Sequence, residues 1–137
     1  MNSDFSIAAH ALVFLNHKQT ALTSDELAEN ICTNSARVRK ALAPLKRAGM
    51  LVAKEGAKGG YALAAEAETI TLQDVADALG TRFVEAGWKS GDADMECLIA
   101  SGMAGIMDGI CADLDAVCKE RLARTTVADI DRIIFPE

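Results

Sequence analysis

Apolar residues recur every three or four positions along most of the chain, the spacing that gathers them on one side of a helix. Phe5, Ala8, Ala9, Leu12 and Leu15 form such a stripe and predict a first helix over residues 5–15. The polar stretch 16–21 closes it. Thr23-Ser24-Asp25-Glu26 then reads as a helix start with acidic residues at its positive end. A second helix runs to about Ile31 with Leu27, Ala28 and Ile31 inward, and residues 32–35 form a short break able to cap the next helix. The third helix has Val38, Ala41, Leu42, Leu45 and Ala48 as its buried stripe and Arg37, Lys40, Lys46 and Arg47 on its other face. Pro44 removes one intrahelical hydrogen bond and should bend or tighten that helix, and Gly49 supplies its stop.

The pattern then shortens. Residues 50–53 and 61–64 predict two strands joined by a glycine-rich hairpin tip at 55–60. Two helices around a tight turn, then a two-stranded wing, make the winged helix-turn-helix pattern, whose second helix enters the major groove of DNA. Helical spacing returns at 71–79, with Leu72, Val75, Ala76 and Leu79 inward, whereas 81–96 has no clear period and predicts a loop. Over residues 97–122, Ile99, Met103, Ile106, Ile110, Leu114 and Val117 form one stripe on a helix about 40 Å long. That is longer than so small a domain covers, so the stripe predicts a dimer seam between two copies of the chain. Gly102, Gly105 and Gly109 on one side suggest the close approach of another backbone. Thr125-Thr126 caps a last short helix, with Val127, Ile130, Ile133 and Ile134 to pack.

The expected fold is therefore mainly α: a winged helix-turn-helix with a two-stranded wing plus a long C-terminal dimerisation helix. Residues 1–64 form the DNA-binding region. Residues 65–137 form a helical region with an effector loop at 81–96 and the dimerisation helix at 97–122.

Charge sharpens this picture. The 137 residues carry a net charge of −6, yet residues 1–64 hold eight Lys/Arg against five Asp/Glu, while residues 65–137 hold six against fifteen. Residues 37–58 hold seven basic residues and Glu55 alone, the footprint of a local polyanion site in an acidic protein. Arg37, Arg39 and Lys40 are expected to meet phosphates and base edges near the start of the recognition helix. Asn34 and Ser35 are candidates for the same role, with simple capping as the alternative. Lys54 and Lys58 suit wing contacts to backbone or minor groove. Gly59 and Gly60 serve hairpin geometry rather than direct contact, and Tyr61 either reaches a phosphate or packs the wing on the core. A winged helix used for protein–protein contact is the rival reading, and it has no need of so basic a segment.

Half of the residues are hydrophobic, enough for a core, but no run is long enough to span a bilayer. The stretch 7–15 is short, is interrupted by His10 and lacks a basic leader, so neither a signal peptide nor a membrane partner is expected, and the protein is read as cytoplasmic. Cys32, Cys97, Cys111 and Cys118 include no CxxC pair and lie far in sequence from either histidine, so no structural zinc is expected. Cys111 and Cys118 read as small apolar residues on a helical stripe. Cys97, at a helix start where a thiolate is stabilised, is the candidate for sensing. His10 and His17 share one side of the first helix without visible partners and read as structural. No nucleophile–base pair, phosphate loop or metal quartet points to an enzyme.

The run Val38-Arg39-Lys40-Ala41-Leu42-Ala43-Pro44-Leu45-Lys46-Arg47-Ala48-Gly49, then Glu55-Gly56-Ala57-Lys58-Gly59-Gly60-Tyr61-Ala62-Leu63, resembles the Rrf family of transcription regulators. The likeness covers nearly the whole chain. It implies a homodimer crossed through its long helices that binds a partly palindromic operator in double-stranded DNA, acting as a repressor under a small-molecule, redox or protein effector. Two positions depart from the family. Its wing usually has arginine just before the first glycine, where this chain has Glu55. Its cluster-binding members carry three closely spaced cysteines before the long helix, and here only Cys97 matches the last of them. One thiolate cannot hold an iron–sulfur cluster, so no cofactor is expected. A thiol-based redox-sensing regulator of the same fold is the alternative.

Overall fold

The computed structural model describes residues 2–57 and 59–136. Helix α1 (Ser3–Lys18) starts where Asn2 Oδ1 accepts the N–H groups of Asp4 and Phe5. It buries Phe5, Ile7, Ala8, Ala11, Leu12 and Leu15, a wider face than the predicted stripe, with Ala9 only half-buried. Helix α2 (Ser24–Ile31) opens on a capping box in which Thr23 and Glu26 satisfy each other's backbone N–H. Cys32 takes a left-handed conformation, φ 65°, and Asn34 caps α3 (Ser35–Arg47) by accepting the Arg37 N–H.

Helix α3 continues through Pro44, with Val38, Ala41, Leu42 and Leu45 buried. Ala48, expected in the buried stripe, is exposed because the helix has already ended at Arg47. Gly49, at φ +82°, makes the stop, and the Met50 N–H turns back to the Leu45 carbonyl.

Strands β1 (Leu51–Lys54) and β2 (Gly60–Leu63) pair antiparallel, Leu51 opposite Leu63 and Lys54 opposite Gly60. Both lie one residue nearer the hairpin tip than the hydrophobic pattern predicts. A further pairing brings in a residue outside any predicted strand: Leu22 and Tyr61 exchange backbone hydrogen bonds of 2.9 and 2.7 Å. The wing is thereby tied to the chain entering α2. Gly60 sits at φ +135°, and a Cβ there would lie 2.4 Å from the Leu22 carbonyl oxygen, so the bridge itself demands glycine.

A 3-10 turn (Ala67–Thr69) leads to α4 (Leu72–Leu79), which begins on a Thr71–Asp74 capping box and stops at left-handed Gly80. Residues 81–96 contain neither helix nor strand, as expected. Helix α5 (Leu98–Leu122) comes next, then α6 (Val127–Ile134) behind a Thr126–Asp129 capping box. Thr71 and Thr126 bridge the starts of α4 and α6, and α6 packs on α1. Val127 and Ala128 join the same core as α1, α3 and α4, and Ile130 is half-buried. Ile133 and Ile134 do not pack as expected: they are 75% and 56% exposed, on the far turn of α6 away from that core. Among the described residues no helix is long and apolar enough to cross a membrane.

Gly60→Ala combines a left-handed backbone with a backbone collision and should cost roughly 1–3 kcal/mol or more in urea denaturation. Gly49→Ala, at φ +82° with open space around it, should cost only about 1–2 kcal/mol from its backbone conformation. Equal midpoints for the two variants would mean that the Leu22 bridge does not impose the glycine.

Candidate nucleic-acid interface

The first turns of α3 hold the basic side chains, and Val38, fully buried between them, fixes which way they face. Arg37, Arg39 and Lys40 are all exposed. The Arg37 guanidinium donates to Ser3 Oγ at 2.7 Å, and Arg39 donates to Ser24 Oγ at 3.2 Å. Ser35, half-buried, bonds through its hydroxyl to Asp25, while Lys40 lies 3.9 Å from Asp4. Ser3 and Ser24 are the first residues of α1 and α2, so three helix starts meet around the two arginines. Each start carries the positive end of a helix dipole, although Asn2, Thr23 and Asn34 already accept the N–H groups of Asp4 and Phe5, of Glu26 and of Arg37, and Asp4 and Asp25 stand in the first turns of α1 and α2. The arginines bond to neutral hydroxyls, and among the described residues neither is in an ion pair. An exposed pair such as Lys40–Asp4 contributes only about 0–1 kcal/mol and is easily exchanged.

Asn34 is exposed, but its side-chain oxygen is taken up in capping α3. Lys54 ends β1 and is exposed. Lys58, the other wing lysine, lies outside the described residues. Gly59 and Gly60 are spent on geometry, since a Cβ on Gly59 would sit 2.3 Å from the Lys54 carbonyl oxygen. Tyr61 is half-buried, packs against the core and carries the bridge to Leu22. Glu55 is exposed at the wing tip, and among the described residues it makes no ion pair with Lys54. Ser3, Asp4, Ser24 and Asp25 were not legible as part of this surface. Their only sequence signal is that each sits at a helix start.

On α5 the predicted stripe is open along one side: Ile99, Ile106, Ile110, Leu114 and Val117 are 45–73% exposed, with Met103 half-buried. Gly102, Gly105 and Gly109 face open space. Cys97 is exposed at the N-cap, where the N–H groups of Ala100 and then Ile99 hold its thiol below the usual range. Cys111 and Cys118 are half-buried rather than core residues, because they lie between the stripe and the face turned to the body. Cys111 opens on a polar cavity of about 450 Å³ with Arg82, Lys89, Asp108 and Lys119. The histidines, read without partners, have them across long sequence separations: His10 pairs with Asn30 at 2.7 Å, and His17 with Asp131 at 3.2 Å while stacking on Phe135.

A helix-turn-helix with a two-stranded wing and a basic second helix defines the class of winged-helix transcription regulators. Within it, the family model Rrf2, iron-dependent transcriptional regulator, matches residues 1–132, and the chain belongs to that family. Among solved structures, a protein of Lactobacillus plantarum assigned as a transcriptional regulator is 24% identical, with a TM-score of 0.81 over 99% of this chain and 93% of that one. IscR of T. potens is 20% identical, TM-score 0.70, over 98% and 87%. CymR of B. subtilis, a global cysteine regulator, is 19% identical, TM-score 0.71, over 97% and 96%. These neighbours share the fold. No curated protein sequence matches the chain.

The family's iron dependence finds no donor set in a single chain. Among the described residues no group of three or more His, Cys, Asp or Glu could hold a metal ion, and Cys97 has no other Cys or His in residues 81–96 beside it. The residues present do not fit an iron site.

With its thiol lowered by two backbone N–H groups, Cys97 should be alkylated by iodoacetamide with a midpoint below the ordinary value of about 8.5. Peptide mass spectrometry across pH reads this directly. A rate that rises only above that value would remove the helix-start effect.

Proposed function

We propose that this Rrf2-family chain is a homodimeric repressor that binds a partly palindromic operator. The observation that carries the reading is the meeting of three helix starts around Arg37 and Arg39, with Lys40 beside them. The helix dipoles of α1 and α2, with the two arginines between them, suit phosphates beside the groove that α3 enters, and so fix its register. Arg37, Arg39 and Lys40 read base edges or clamp phosphates, Asn34 and Ser35 hold the start of α3, and Lys54 and Lys58 steer the wing. Glu55 opposes close approach of the wing tip, leaving discrimination to α3. A small-molecule, redox or protein effector acts through the loop 81–96, and Cys97, exposed at the start of α5, is the candidate residue should the effector be an oxidant.

The stripe from Ile99 to Val117 is the proposed seam. Buried against a second copy, it closes the dimer and sets two α3 helices against successive half-sites.

Operator DNA selected from genomic fragments should be bound with a steep salt dependence. Arg37→Ala or Lys40→Ala should weaken it by about 1–3 kcal/mol where the side chain reads a base edge. Titrations at several salt concentrations measure both, and unchanged affinity in the two variants would sink the interface.

Ile110→Asp would bury an unpaired carboxylate at the seam, a cost the dimer should not tolerate. Light scattering should report monomer or aggregate, whereas a folded dimer would put the seam elsewhere.

A further inference from the structure

Of the residues of α5, Asp115 is the one buried, at 8% exposure, and it is a carboxylate. Its Oδ1 accepts the backbone N–H of Phe83 at 2.6 Å and of Val84 at 3.1 Å, which pins the start of the loop to the long helix. Phe83 then stands edge-on against Phe5 of α1, ring centroids 5.1 Å apart at 89°. On the other side of the carboxylate, Lys119 lies 3.7 Å from Asp115 Oδ2 and 3.6 Å from Asp77 of α4. One side chain thus connects α5 to α1 through Phe83 and to α4 through Lys119.

The direction of this connection matters. At about 100° per residue, Asp115, Lys119 and Leu122 fall on the side of α5 opposite Ile99, Ile106, Ile110 and Val117. The helix therefore has two faces with separate tasks. One is the apolar seam, and the other meets the winged helix through a charged joint. Apolar packing tolerates sliding, whereas two backbone donors converging on one carboxylate oxygen define a position and an angle.

We propose that Asp115 is a positioning residue for operator recognition. It fixes the angle between α5 and the winged helix, and through the dimer it fixes the separation of the two α3 helices. This rests on the dimeric DNA-binding reading above. With α5 held by its partner, rotation at the joint moves both recognition helices relative to half-sites about one helical turn apart.

The test compares wild type, Asp115→Ala and Asp115→Asn on a single half-site, on the full operator, and on operators with the half-sites moved one base pair closer or further. Asp115→Ala should remain dimeric, bind the single half-site within about twofold, lose about tenfold on the full operator, and discriminate less between spacings. Hydrogen exchange at the Phe83 and Val84 amides should accelerate in the same variant. Asp115→Asn keeps an acceptor oxygen and should restore spacing preference and protection. Should Asp115→Ala unfold, Phe83→Leu breaks the connection at its aromatic end and is read the same way. Equal losses on half-site and full operator, or an unchanged spacing preference, would overturn the joint while leaving DNA binding intact. A wild-type protein that binds no DNA would overturn the function proposed above, and the joint's role with it.

Discussion

The burial of α1 is the constraint on which the other elements depend. Ala8 and Ala11 are fully buried along with Leu12, and such small residues let neighbouring helices approach the axis of α1 closely. Helices α2, α3, α4 and α6 and strand β2 all pack on it. Once α1 is enclosed, α3 can turn only its Val38, Ala41, Leu42 and Leu45 side inward. The basic side chains are left facing water by that choice. The exposed basic face of α3 is thus the remainder of a packing solution, set by which side of the helix is buried.

The same enclosure explains what could be read from the sequence. Helices α2, α3 and α6 were legible from a 3.6-residue stripe together with a capping residue, whereas α1 and α4 were read from the stripe alone, and the Asn2 cap of α1 was missed. The wing was legible as a hairpin but misplaced by one residue, since four-residue strands with half-buried side chains offer little alternation to count. The Leu22–Tyr61 bridge had no side-chain signature at all, being made of backbone bonds. Only the glycine pair before Tyr61 hinted at it. At the interface, Arg37, Arg39 and Lys40 announced themselves by charge. Their hydroxyl partners Ser3 and Ser24 came from residues 34 and 15 positions away, beyond any local pattern. Asp115 was hidden for a different reason. An acidic residue in an amphipathic helix ordinarily faces water, and here it turns to two backbone donors supplied by a segment without a period of its own.

Helix α5 leaves most of its apolar stripe uncovered. Its stripe leaves five large aliphatic side chains about half exposed or more on one side. Its other side reaches the body through Asp115, Lys119 and Leu122. A dimer made along the stripe would add nothing to the winged helix directly. Its rigidity would pass through this polar joint together with Leu122 and the 123–126 turn, which is bonded to the start of α4, so anything that alters residues 81–96 acts on one of the few links between the two halves.

Charge distribution completes the argument. At physiological ionic strength the Debye length is about 8 Å, so DNA approaching the surface feels the nearest charges far more than the net charge of the chain. The acidic residues of 65–137 repel a duplex that approaches from their side, and the basic run 37–58 attracts one that approaches α3. A protein with uniformly positive charge would hold DNA in many orientations, most of them unproductive. Here the acidic majority weakens those encounters and leaves one face attractive, which favours orientation over raw affinity. On the binding mode proposed above, Glu55 would extend the same logic to the wing, since a carboxylate at its exposed tip would weaken a non-specific hold there.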